Sequence, residues 1–159
     1  MEMNLENEPF LNPELQAELH GLAIHEGGHW LVSELRGIVV DRVELTISES
    51  NKGAGTLIWK SLTGTTKEDQ GTAIAAGFAA ELIAYGDREM SEKGFGCFKT
   101  DTKRLRQLGF TQDDTIRLIK NASELIKQNN ERYNFLVRKM EDAIKSKIIT
   151  GDRTCTFRG

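Results

Sequence analysis

Ile24-His25-Glu26-Gly27-Gly28-His29 sits within a run of helical period. Leu15, Leu19 and Leu22 recur at spacings of four and three, and His25, His29 and Val32 continue the same stripe. Asn12, Pro13 and Glu14 supply an N-cap, a proline at the first helical position and an acid in the first turn, while Arg36 and Gly37 mark the far end. A helix from about Pro13 to Arg36 is expected, with both histidines turned inward. Four residues on a helix are ~400° of rotation, so the two imidazoles stand ~40° apart on one face and one turn distant. Glu26 lies ~60° from His29, beside that face rather than on it. Gly27 and Gly28 each cost ~1 kcal/mol relative to alanine inside a helix, which argues for close approach of another element.

After Gly37 the period changes. Val43, Leu45 and Ile47 alternate with Arg42, Glu44 and Thr46, which predicts a half-buried strand. Turn-rich residues 48–55 lead to a second strand over Thr56–Lys60, so a small antiparallel hairpin is expected. The Val43–Ile47 strand follows the helix closely, and its edge would offer main-chain groups to an extended peptide. An alanine-rich helix is expected over Lys67–Tyr85, stopped by Gly86, followed by a loop over Gly94–Lys99. Further helices are predicted from Thr100 as N-cap, from Thr111 to about Lys127, and from Glu131 to about Lys147. The last has Tyr133, Leu136, Val137, Met140 and Ile144 on its apolar side.

The 159 residues suit one domain, 1–159, with tails at 1–12 and about 149–159. A composition 38% hydrophobic and 28% charged fits a globular chain rather than a disordered one. The longest uncharged apolar stretch, Ala73–Ala80, is far short of the ~20 residues that span a bilayer. Residues 1–35 hold acids and neither Lys nor Arg, unlike a secretory leader, so no membrane insertion and a cytoplasmic location are expected. Cys97 and Cys155 are too few for a disulfide framework and read as free thiols. With 21 basic and 24 acidic residues, net −3, the charge does not point to nucleic acid. It is uneven, however. Residues 1–92 carry 6 basic and 16 acidic side chains and residues 93–159 carry 15 and 8, so attraction between the two parts is expected.

The H-e-x-x-H spacing brings His25 and His29 to one metal ion and sets Glu26 beside it. Imidazole ligands with room for water favour one Zn2+. Glu26 is then the general base of a hydrolysis in which metal-activated water attacks a peptide carbonyl. His20, five positions before His25, lies on a different face and reads as structural or exposed. Spacing does not select a third ligand among Asp41, Glu44, Glu81, Asp87 and Glu89, although Glu34 stands ~140° around the helix from His29 and Val32 and Leu35 do not fit the metzincin pattern.

His25-Glu26-Gly27-Gly28-His29-Trp30-Leu31-Val32 resembles the HEAGHALV region of the peptidase domain in FtsH-type AAA+ zinc metalloproteases. Val43-Glu44-Leu45-Thr46-Ile47 is similar to that family's strand after the zinc helix, and residues 76–86 to its GGRAAEELIFG-like helix. Thr100-Asp101 resembles the Asn-Asp pair whose aspartate completes the zinc site. The likeness runs from about Leu15 to Leu108. It implies an α+β, mainly α-helical, zincin-like domain with metal ligands His25, His29 and Asp101 and base Glu26, acting on polypeptide substrate. Glu81 is the alternative ligand of a thermolysin-type site. Phe78 and Leu82 depart from the family pattern. No ATPase phosphate loop or membrane anchor is present in the sequence, which implies a free-standing peptidase or one served by a partner protein or ATPase in trans. The competing expectation is a noncatalytic zinc-binding interaction module on the same fold.

Overall fold

The computed structural model describes residues 12–93 and 96–159, with backbone alone for 88–93 and 96–98. Its elements run α1 (Pro13–Leu35), β1 (Val39–Ile47), β2 (Gly53–Ser61), α2 (Lys67–Lys93), α3 (Gly96–Gln107), α4 (Gln112–Gln128), α5 (Asn130–Ile149) and β3 (Thr154–Phe157). The fold is α+β and mainly helical, with an antiparallel sheet ordered β2-β1-β3.

The first helix starts where its capping residues direct, since Leu15 N–H donates to Asn12 Oδ1 at 2.8 Å. Every residue from Leu22 to Ser33 is buried, so α1 is a central helix enclosed on all sides rather than an amphipathic one. The sheet covers it through Val43, Leu45 and Ile47, while α5 packs on it through Tyr133, Leu136, Val137, Met140 and Ile144. On the remaining side lies α2, whose alanines 73, 75, 76, 79 and 80 are at most 1% exposed. The α1 glycines sit at these crossings. A Cβ on Gly27 would come within 2.8 Å of Val137 Cγ2, and one on Gly28 within 2.5 Å of the Ala76 carbonyl oxygen.

Several boundaries differ from expectation. Both hairpin strands extend beyond the expected ranges, with a bulge in β1 between Val40 and Arg42. Gly86, at φ 80°, does interrupt the alanine-rich helix, but helical backbone resumes to Lys93. The loop expected over Gly94–Lys99 is helical from Gly96, so Thr100 is an interior residue of α3 and not its cap; residues 94 and 95 lie outside those described. Gly96 adds only ~1 kcal/mol against a helix, too little to stop one where no proline intervenes. Thr111 caps α4 with Asp114 in a reciprocal capping box.

The tail expected at 149–159 contains the third strand, Thr154–Phe157, while residues 1–11 of the other expected tail lie outside those described. In β3, Cys155 pairs with Leu45 and Phe157 with Val43, and Phe157 stacks edge-on with Trp30 at 5.4 Å. Its docking fills the side of β1 that was expected to be open to a peptide. The sheet's free edge near α1 therefore belongs to β2. Cys155 is a buried free thiol, and the Cys97 side chain lies outside those described. The charge asymmetry is spent across elements, with Arg132 paired to Glu34, Arg117 to Glu68 and Arg158 to Asp41.

The α1–α2 crossing yields a prediction. Gly28→Ala gains ~1 kcal/mol of helix propensity but forces a methyl into the Ala76 backbone. A net loss of about 1–3 kcal/mol is expected, read as a lower midpoint in denaturant unfolding; an unchanged midpoint would show that the helices are not held this close.

Candidate metal centre

Two turns of α1 and one of α3 bring the expected residues together. His25 and His29 present their Nε2 atoms 3.0 Å apart, and Asp101 Oδ2 lies 3.2 Å from each. All three residues are buried, at 5%, 7% and 6% exposure. They form a group whose ligand atoms could hold one metal ion.

Proton placement follows from the partners on the far side of each ring. His25 Nδ1 is 2.6 Å from Glu81 Oε1, and His29 Nδ1 is 2.8 Å from the Ala73 carbonyl oxygen. The carbonyl can only accept, so Nδ1 of His29 carries the hydrogen and its Nε2 a bare lone pair. Glu81 orients His25 in the same way. Two lone pairs and a carboxylate oxygen thus converge, with Asp101 Oδ2 lacking a hydrogen-bond partner among the described residues. Such a set repels itself until a cation enters. Donors ~2.05 Å from a tetrahedral ion stand ~3.3 Å apart, close to the observed 3.0 and 3.2 Å.

The electrostatics agree. Burial disfavours charge on His25, but the adjoining Asp101 and Glu81 carboxylates, with Glu26 nearby, outweigh it and lift the His25 pKa well above the usual imidazole value. Burial also opposes charge on Asp101, yet the His29 and His25 rings hold its carboxyl far below the usual range. The pocket therefore draws positive charge, and a metal ion must displace the proton it otherwise attracts.

Glu26 is 3% exposed, and its Oε2 has no hydrogen-bond partner among the described residues. Its carboxylate abuts β2, where a Cβ on Gly55 would fall 2.7 Å from Glu26 Oε1. Glu81, the alternative ligand, faces the Nδ1 side of His25 and so orients the ring rather than joining the cluster. Glu34 points away to Arg132 and Trp30. His20 is half exposed and contacts Glu141, apart from the site.

Two contributors were not evident from residue type. The Ala73 carbonyl acts through the backbone, and Gly77 acts through what it lacks. A Cβ there would lie 2.5 Å from His29 Nε2 and 2.6 Å from His25 Nε2. The only glycine in the alanine run 73–80 was the available signal.

No protein-family model matches this chain, and no curated protein shows significant similarity to it.

Zn2+ competition titrations test the assignment. Asp101→Ala is expected to weaken binding at least ~100-fold, and Glu81→Ala by about 10-fold, as for a residue that orients a ligand. Gly77→Ala should impair binding with every ligand intact, because its methyl meets both donor nitrogens. Wild-type affinity in Asp101→Ala would refute the ligand set.

Proposed function

We propose that this chain is a zinc-dependent endopeptidase acting on flexible or unfolded polypeptide, with His25, His29 and Asp101 as metal ligands and Glu26 as general base. The observation that carries the proposal is the unpartnered, buried Glu26 oxygen beside a three-donor cluster. A purely structural metal site has no use for a fourth, unsatisfied acid in this position, since an orphaned buried carboxylate is costly.

Zinc held by the three ligands supplies Lewis acidity, polarising a peptide carbonyl and lowering the pKa of water to ~7. The chain's own residues do the rest. Glu26 accepts a proton from the attacking water as the new C–O bond forms, then delivers it to the amine nitrogen as the C–N bond breaks. Glu81 and the Ala73 carbonyl keep both imidazoles in the tautomer whose Nε2 faces inward. Burial of the cluster removes competing solvent and strengthens each electrostatic contact.

A peptide would be received on the free edge of β2. Ile47 N–H donates to the Arg153 carbonyl on the β3 side, so alternation directs Thr46 and Glu44 toward β2. Their partners Ala54 and Thr56 complete that ladder, which turns the main-chain groups of Gly53, Gly55 and Leu57 outward. Gly53 N–H is already held by Glu18 at 2.8 Å, leaving Gly55, which abuts Glu26, and Leu57 for strand addition. Backbone capture of this kind accepts many sequences.

Casein cleavage separates the enzyme from a metal-binding interaction module. Glu26→Gln should lose at least ~100-fold in kcat/KM while retaining wild-type zinc content; no cleavage by the zinc-loaded wild type across pH and substrates would favour the module. The edge-strand reading has its own check. Leu57→Pro removes an outward donor from an edge strand that tolerates proline. If that variant melts normally, holds zinc and cleaves at the wild-type rate, peptide capture through this donor is wrong.

A further inference from the structure

Next to the metal centre, Trp59, Gln70, Ile74, Arg104, Gln107 and Leu108 enclose an open cavity of about 140 Å³. That is close to the ~150 Å³ cavity able to admit a benzene ring, and so of side-chain size. Three links tie it to the site. Ile74 follows Ala73, whose carbonyl holds His29. Arg104 follows Asp101 by three residues on α3, a displacement of ~4.5 Å along the helix. Trp59 lies on the same face of β2 as Gly55, and its Nε1–H donates to Ser33 Oγ, one turn beyond His29.

Within this cavity the Arg104 guanidinium lies over the Trp59 ring, 5.2 Å from its centroid. Stacking fixes one face of the guanidinium and leaves its planar N–H edge free. Among the described residues, Arg104 has no acidic partner. Its neighbour Arg106 provides the contrast, because its Nη1 donates to the Phe110 carbonyl and Thr115 Oγ1 and so ties α3 to α4. Both arginines stand in the last turn, where a cation suits the helix dipole, but only Arg106 is tied down by these hydrogen bonds. Arg104 therefore brings a guanidinium held by Trp59 to a cavity that the apolar Ile74 and Leu108 and the amides of Gln70 and Gln107 also line.

We propose that this cavity binds a carboxylate, namely an acidic side chain of the polypeptide, and that Arg104 thereby selects where the chain is cut. The consequence for cleavage rests on the peptidase reading above, whereas the binding does not. A strand lying along β2 beside Gly55 reaches Trp59 after ~13 Å, or four residues at ~3.3 Å each. The acidic residue thus belongs within about four positions of the cleaved bond. Planar guanidinium matched to planar carboxylate gives paired, charge-assisted hydrogen bonds, which a glutamine amide cannot reproduce.

The test uses the full zinc-loaded chain and otherwise neutral peptides in which one Glu is moved through four positions on either side of the cut. Each has a Gln counterpart and is made with a free or an amidated C-terminus. Wild type is expected to prefer Glu over Gln about 10-fold or more in kcat/KM at one position. Arg104→Gln should abolish the preference, Arg104→Lys retain part of it, and Arg104→Glu shift it toward a Lys-containing peptide, with thermal melts confirming folding. Fluorescence anisotropy of the same peptides on Glu26→Gln reads binding without cleavage. Charge-selective binding that depends on Arg104, with no peptide cleaved by wild type, would support the pocket and remove the peptidase reading. Equal handling of Glu and Gln peptides by wild type in both assays overturns the pocket. A preference that follows the free C-terminus and ignores internal Glu overturns the side-chain assignment and identifies a chain-end carboxylate instead.

Discussion

Two imidazole nitrogens held 3.0 Å apart, both with their lone pairs turned inward, are the constraint around which this molecule is arranged. Left alone, the pair is repulsive, and the Asp101 oxygen 3.2 Å from each adds a further acceptor without a donor. Neither ring can readily turn away, because Glu81 and the Ala73 carbonyl engage the opposite nitrogens. Positive charge relieves the repulsion, either a proton, which the flanking Asp101 and Glu81 carboxylates favour on His25, or a metal ion that satisfies all three donors together.

That arrangement explains why α2 must approach α1 so closely. The Ala73 carbonyl reaches His29 only if the helices cross at near-contact, which the missing side chain of Gly28 permits. Gly77 then passes over the ligand nitrogens at a distance where even a methyl would intrude. Glycines that weaken helices in isolation are here offset by packing and by the space they leave for an ion. The sheet adds the other wall, with Gly55 against Glu26, so the proposed base is pressed between α1 and the edge strand.

Much of this was legible in the residues, for identifiable reasons. Helical spacing alone relates His25, Glu26 and His29, because three positions within one turn need no tertiary information. The N-caps at Asn12 and Thr111 are likewise local. Asp101 is different. It lies 72 residues beyond His29, and nothing in spacing distinguishes it from Glu81; only the family resemblance singled it out, and only folding shows that Glu81 meets the wrong nitrogen to be a ligand. The third strand escaped notice because Thr154–Phe157 is only four residues long and gains its identity from β1, more than a hundred residues earlier. That non-local pairing also displaced the expected open edge from β1 to β2. Gly77 and Gly55 matter through the absence of a Cβ, a signal that sequence periodicity does not carry.

The charge of the chain is unevenly distributed along its length. Basic residues of the C-terminal part meet acids of the N-terminal part at Arg132–Glu34, Arg117–Glu68 and Arg158–Asp41, all substantially exposed. Pairs of this kind contribute ~0–1 kcal/mol each, so they guide the approach of the two parts more than they stabilise the result. Stability comes from the enclosed α1, which packs on apolar side chains of the sheet, α2 and α5. A basic residue that lacks such a pair is then informative by its place. Arg104 sits one turn from Asp101, stacked on Trp59 and facing a cavity rather than an acid. Arg106, two positions away, shows that α3 can direct a guanidinium into structural contacts when it serves the fold. The difference between these two arginines places Arg104 with the groups arranged for a ligand, alongside the convergent nitrogens and the unpartnered oxygen of Glu26.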